Sequence, residues 1–168
     1  MKKLSPAIIG IITGAVMILI SIGIFSLKGS FENNLQYFTY AVYILGIIWA
    51  LSQYRPPSED QRKFKNYFNQ AFKCYIVVTL LMVIFTFVFL KLNPQMKTEM
   101  AANYKADLEK GGNLTPAEIG ASVQRAKDYY VTMLISVTSF GYLLIGSLIS
   151  LVVALFFSQR KVEKKSDF

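Results

Sequence analysis

Few side chains in this 168-residue chain are able to do chemistry, and their placement limits what they can do. There is no histidine and a single cysteine, Cys74. That excludes an intrachain disulfide, a His/Cys zinc site and any triad built on an imidazole base. The acids Glu99, Asp107, Glu109, Glu118 and Asp128 fall at helix-surface spacing. A pair such as Asp107 and Glu118 meeting across a turn is one acid/base arrangement open to them. Solvated surface charge is the simpler reading. No G-x-S-x-G, P-loop, H-E-x-x-H or Asp-rich phosphate motif occurs. No catalytic residue, metal or cofactor is therefore expected. Cys74 reads as a packing residue, with acylation as the alternative.

Three basic residues are better organised. Arg55-Pro56-Pro57 is followed by Ser58-Glu59-Asp60-Gln61, which has the form of a capping box. The helix it predicts, over 58–72, places Arg62, Lys65, Asn69 and Lys73 on one face. Phe64, Tyr67, Phe68, Ala71, Phe72 and Tyr75 fall on the other. Such a helix anchors a protein to anionic headgroups. A docking face for a partner, or a site for a lipid substrate, are the alternatives.

Small and hydroxyl residues form two further stripes. Gly10, Thr13, Gly14, Met17 and Ser21 share one helix face. Ser136, Ser139, Gly146, Ser147, Ser150 and Ala154 share another. Small residues let helices approach closely, so Gly10, Gly14, Ser139, Gly146 and Ser150 are expected to pack helices together. The rival is a hydroxyl-lined substrate path. Thr79 and Thr86 are expected to bond back to their own helix.

The elements that carry these residues are apolar. Hydrophobic residues make up 54% of the chain and charged residues only 17%, and mean hydropathy is +0.41. A soluble domain has about 25% charged residues. Four apolar segments, at about 4–27, 35–53, 73–92 and 131–158, approach the roughly 20 helical residues that cross a bilayer. The third is the shortest and relies on Lys73 and Lys91 snorkelling outward. The first is too long for a cleaved signal segment and lacks a small-residue cleavage site. None carries an ionisable residue in its central part, which argues against an ion-coupled pump.

Eleven of the eighteen basic residues lie in the N-terminal tail, the 54–73 connection and the C-terminal tail, which together hold four acids. These segments are therefore expected on the cytoplasmic side. That accounts for the net charge of +8 without nucleic acid. Tyr37, Tyr40, Tyr129 and Tyr130 are expected in an outer aromatic belt, and Trp49, Tyr54, Tyr75, Phe156 and Phe157 in an inner one.

Between spans three and four, residues 94–130 are polar. Met96, Met100, Tyr104 and Leu108 recur every four residues, Gly111-Gly112 breaks the helix, and Thr115-Pro116-Ala117-Glu118 starts another. Ile119, Val123, Ala126, Tyr130 and Met133 then form a seam running into span four. The helix from Pro116 to about Ser158 would be roughly 60 Å long. The fold class is thus all-α: one integral membrane domain of four helices, both termini cytoplasmic, with an extracytoplasmic helical hairpin. Met100, Tyr104, Ile119 and Val123 are the hairpin's candidate partner contacts.

The run Tyr67-Phe68-Asn69-Gln70-Ala71-Phe72-Lys73 enters a Thr-containing apolar span. Leu92-Asn93-Pro94 and then Asn113-Leu114-Thr115-Pro116-Ala117-Glu118 follow it. This order resembles the domain-of-unknown-function 4199 family, small four-span inner-membrane proteins of Bacteroidetes-type bacteria, over nearly the whole chain. The resemblance implies the architecture and the compartment and carries no activity. The expected role is a non-catalytic accessory or scaffold subunit of the cell envelope, meeting anionic lipids and a protein partner or a second copy. The alternatives are a small transporter or channel subunit, and a helper of a lipid- or glycan-modifying membrane enzyme.

Overall fold

The computed structural model describes residues 4–28, 36–54, 56 and 63–159. The described chain is all-helical: α1 (Pro6–Lys28), α2 (Gln36–Gln53), α3 (Phe64–Leu92), α4 (Gln95–Gly111) and α5 (Pro116–Gln159). Three of these helices, α1, α3 and α5, are long and apolar enough to cross a membrane, and α2 is a shorter apolar helix.

Local chemistry sets the helix ends. Ser5 Oγ accepts a hydrogen bond from the Ile8 amide at 3.3 Å, and Pro6 occupies the first turn, where its missing N–H costs nothing. Pro56 follows closely on α2 and cannot continue it. At the end of α3, Asn93 Nδ2 donates to the Phe89 carbonyl at 2.9 Å before Pro94 turns the chain. Gly112 closes α4 in the left-handed conformation (φ 65°), which glycine adopts without a Cβ penalty.

Helix α3 is described from Phe64; the expected Ser58 cap and Arg62 lie within residues 57–62, outside the described residues. From Phe64 the polar turns and the apolar span form one helix of 29 residues, because no Gly or Pro interrupts them. The third apolar segment, bounded by Lys73 and Lys91, lies inside a helix long and apolar enough to cross a membrane, and α2, at 18 residues, is the shortest of the apolar helices.

The chain forms two compact units. One comprises residues 1–82 and 141–168, the other 83–140. In the first, α1, α2, the first two-thirds of α3 and the end of α5 make a four-helix arrangement. Thr13 meets Gly46, and Ile9 clusters with Ala50 and Cys74, so α1 and α2 run antiparallel. Gly10 lies against Cys74 and Val77, and Gly14 against Leu81, so α1 and α3 are parallel. Tyr75 on Gly146 and Tyr67 beside Phe157 make α3 and α5 antiparallel. The start of α1, the end of α2, the start of α3 and the end of α5 thus share one end of this unit.

Its outer faces are greasy. Leu19 and Val152 are each 68% exposed, with Leu45, Leu80 and Leu148 also exposed. A water-soluble protein rarely presents so much continuous apolar surface; a helix bundle in lipid does so by necessity.

The second unit holds the end of α3, all of α4 and the first half of α5. The four-residue turn Gly112–Thr115 folds α4 and α5 into a helical hairpin. Ala101, Ile119 and Tyr130 are its buried residues.

Candidate functional site

The interior of the four-helix unit carries the most specific side-chain chemistry in the protein. Tyr43, fully buried on α2, donates from its phenol to the Tyr142 carbonyl on α5 at 3.0 Å. That carbonyl lies within a helix, so the phenol must approach backbone closely. Gly146 makes the approach possible: a Cβ there would collide with the Tyr43 phenol oxygen and sit 3.0 Å from the Tyr75 ring. The Tyr43 and Tyr142 rings meet edge-on at 5.6 Å, a favourable quadrupole arrangement. Tyr40 lies 6.0 Å from the Tyr142 ring.

The same device recurs at each close helix contact. A Cβ at Gly10 would stand 2.7 Å from the Cys74 carbonyl oxygen, and one at Gly14 would stand 2.8 Å from Leu81 Cδ1. At Gly46 it would enter the Thr13 side chain. The predicted face of α1 is the observed one: Gly10, Thr13, Gly14, Met17 and Ser21 are all buried. On α5, Gly146, Ser150 and Ala154 are buried, Ser139 and Ser147 half-buried, and Ser136 exposed. Gly46 escaped the sequence reading, although Tyr43, Gly46, Ile47 and Ala50 fall at helical spacing on one face.

Some expected roles change. Cys74 is fully buried, with Sγ 3.9 Å from the Gly46 carbonyl oxygen, so packing is its role and acylation is excluded. Thr79 does not bond back to its helix. Its hydroxyl is buried beside the Tyr43 phenol without a partner of hydrogen-bonding geometry, and the Ser150 hydroxyl is also unpartnered. Tyr75 and Tyr130 are buried at 5% and 6% exposure, so neither belongs to a headgroup belt: each ring is enclosed by neighbouring helices. Trp49, Tyr37, Tyr129 and Phe156 are exposed.

Four of the hairpin acids, Asp107, Glu109, Glu118 and Asp128, are engaged locally. Lys105 pairs with Glu109 and Lys110 with Asp107, both at 3.7 Å and exposed. Glu118 accepts from the Thr115 amide at 2.8 Å and from its hydroxyl at 2.7 Å, completing the predicted capping box. These hydrogen bonds hold the Glu118 carboxyl below the ordinary glutamate value. Asp107 and Glu118 are thus engaged separately rather than with each other.

The hairpin residues divide. Ile119 is buried, Met96, Met100, Leu108, Val123 and Ala126 are half-buried, and Tyr104 is 39% exposed. The α4 row is centred on Ala101 rather than on Tyr104. Met133, expected in the seam, is 56% exposed. At 3.6 residues per turn the inward face passes from Tyr130 to Leu134, and Leu134 is half-buried.

On the early turns of α3, Lys65, Asn69 and Lys73 are exposed along one face, as expected. The aromatic residues split into two sets. Tyr67, Ala71 and Tyr75 are buried, with Tyr67 edge-on to Tyr54 at 5.2 Å. Phe64, Phe68 and Phe72 form a ladder between the buried and basic faces, with centroid spacings of 5.7 and 6.4 Å. Phe72 is 41% exposed. Among the described residues no group of three or more metal-ligating side chains comes together.

These features define an all-helical protein with membrane-capable helices, held together by glycine notches and a buried tyrosine bond. The model of one protein family, Protein of unknown function (DUF4199), matches residues 8–159. The chain belongs to that family. No curated protein and no solved structure matches it.

Proposed function

We propose that this protein is a non-catalytic, four-span scaffold of a bacterial inner membrane, with both termini cytoplasmic and the 94–130 hairpin on the opposite side. The observation that carries the reading is how the interior polar groups are spent. Tyr43, Gly146, Gly46 and Gly10 lock helices together, and four hairpin acids, Asp107, Glu109, Glu118 and Asp128, are engaged by neighbours on the hairpin itself. The exposed remainder is an apolar exterior, a basic end and a hairpin surface presenting Tyr104.

The shared end of α1, α2, α3 and α5 supports the orientation. It is the end of Lys63, Lys65 and Lys73, and the positive-inside rule puts such an end in the cytoplasm. With α2 as a fourth crossing, chain parity assigns the hairpin to the outside.

The test is purification in mild detergent from native membranes with a photo-crosslinker at Tyr104. Recovery of one stoichiometric membrane or envelope partner, crosslinked through the hairpin, is expected. Recovery of the protein alone, with uptake or conductance in liposomes abolished by Gly146→Leu, would instead establish the transporter reading.

A further inference from the structure

We propose that the Lys65–Asn69–Lys73 face of α3 binds the phosphodiester headgroup of an anionic phospholipid, with Phe72 set against its glycerol and upper acyl chain. This rests on the membrane-spanning reading of α3.

The first argument is charge. The acids of the four-helix unit, Glu32, Glu59, Asp60, Glu163 and Asp167, all fall outside its described residues, so no described carboxylate faces the stripe. The described acids all lie between Glu99 and Asp128, in the other unit. Lys65 and Lys73 are exposed, and among the described residues neither makes an ion pair. Among the described residues no acid stands beside either charge, and an anion supplied from the lipid surface is the partner that fits them.

The second argument is direction. A helical side chain leans toward the helix N-terminus, over the residue four positions earlier. Lys73 therefore reaches back over Asn69, which places an ammonium and an amide donor together one turn above the apolar run that starts at Cys74. Lys65 lies two turns further out, about 12 Å along the axis, and supplies charge at the membrane surface.

The third is the ladder. Phe64, Phe68 and Phe72 run beside the basic stripe along the same turns. Exposed Phe72 gives the stripe an apolar flank at the depth of Lys73, one residue away. A diester phosphate with acyl chains attached matches that order of groups. A free inorganic anion would have no use for the phenyl face.

The full-length protein in nanodiscs of mixed phosphatidylglycerol and phosphatidylcholine tests this, with retained lipids counted by native mass spectrometry after detergent exchange. Wild type should retain phosphatidylglycerol selectively. Lys65→Gln and Lys73→Gln should each lower that selectivity about fivefold, Lys73→Arg should preserve it, and Lys105→Gln with Lys110→Gln should leave it unchanged. Equal retention of both lipids by wild type, or selectivity that survives the Lys65→Gln/Lys73→Gln double variant, would overturn the proposal. Release of the protein from membranes by alkaline carbonate would instead defeat the spanning reading on which it rests.

Discussion

Gly146 is where a single methyl group would be felt most. The added carbon of Gly146→Ala meets the Tyr43 phenol and the Tyr75 ring, both anchored in the bundle, so neither yields easily. Overpacking of this kind costs about 1–3 kcal/mol. Tyr43→Phe removes only the bond to the Tyr142 carbonyl, which keeps its own helix partner, so a loss of about 0.5–1.5 kcal/mol is expected. Thermal unfolding in detergent should rank wild type above Tyr43→Phe and Tyr43→Phe above Gly146→Ala. A Gly146→Ala protein as stable as wild type would show that the notch is not tight. The glycines of α1 were legible in the sequence because they recur at Gly10 and Gly14 among apolar neighbours. The tyrosine bond was not legible. Its two ends lie 99 residues apart, and no local pattern marks a phenol that will reach another helix's backbone.

At the scale of the element, the start of α5 is controlled by one carboxylate. Glu118 is held below the ordinary glutamate value by its bonds to Thr115. A depressed carboxyl stabilises the helix start at pH values above the ordinary glutamate range, and loses that contribution as pH falls through the lower folded value. Hydrogen exchange at residues 116–119 should therefore be slow near neutral pH and accelerate on acidification. In Glu118→Gln that dependence should flatten, and Thr115→Ala should fray the same turn at neutral pH by about 1 kcal/mol. A pH response unchanged in Glu118→Gln would remove the carboxylate from the account. This cap was fully readable in Thr115-Pro116-Ala117-Glu118, because a capping box involves residues only three apart. Ser58-Glu59-Asp60-Gln61 has the same form but lies outside the described residues, ahead of the α3 helix described from Phe64.

For the whole molecule, the proposed topology makes a labelling pattern. Cys74 is fully buried, so the wild-type protein should resist a membrane-impermeant maleimide. A cysteine in place of exposed Ala106, in α4, should react in intact spheroplasts. One in place of Gln159, at the end of α5, should react only after the membrane is opened. Labelling of both from the same side would refute the four-span arrangement.

The sequence by itself determined the helical class, the apolar segments, the hairpin turn and the family, since each depends on composition or on residues within a few turns of one another. The charge asymmetry behind the proposed cytoplasmic side is also a property of the sequence, because it belongs to segments and needs no contact between them. Tertiary structure decided which side of each helix is used. It buried Tyr75 and Tyr130 rather than leaving them in the belts, paired Tyr43 with Tyr142, enclosed Cys74, and left Lys65, Asn69 and Lys73 facing outward. The reason is that one helix face looks much like another until a second helix arrives, and the glycines decide how close that second helix comes.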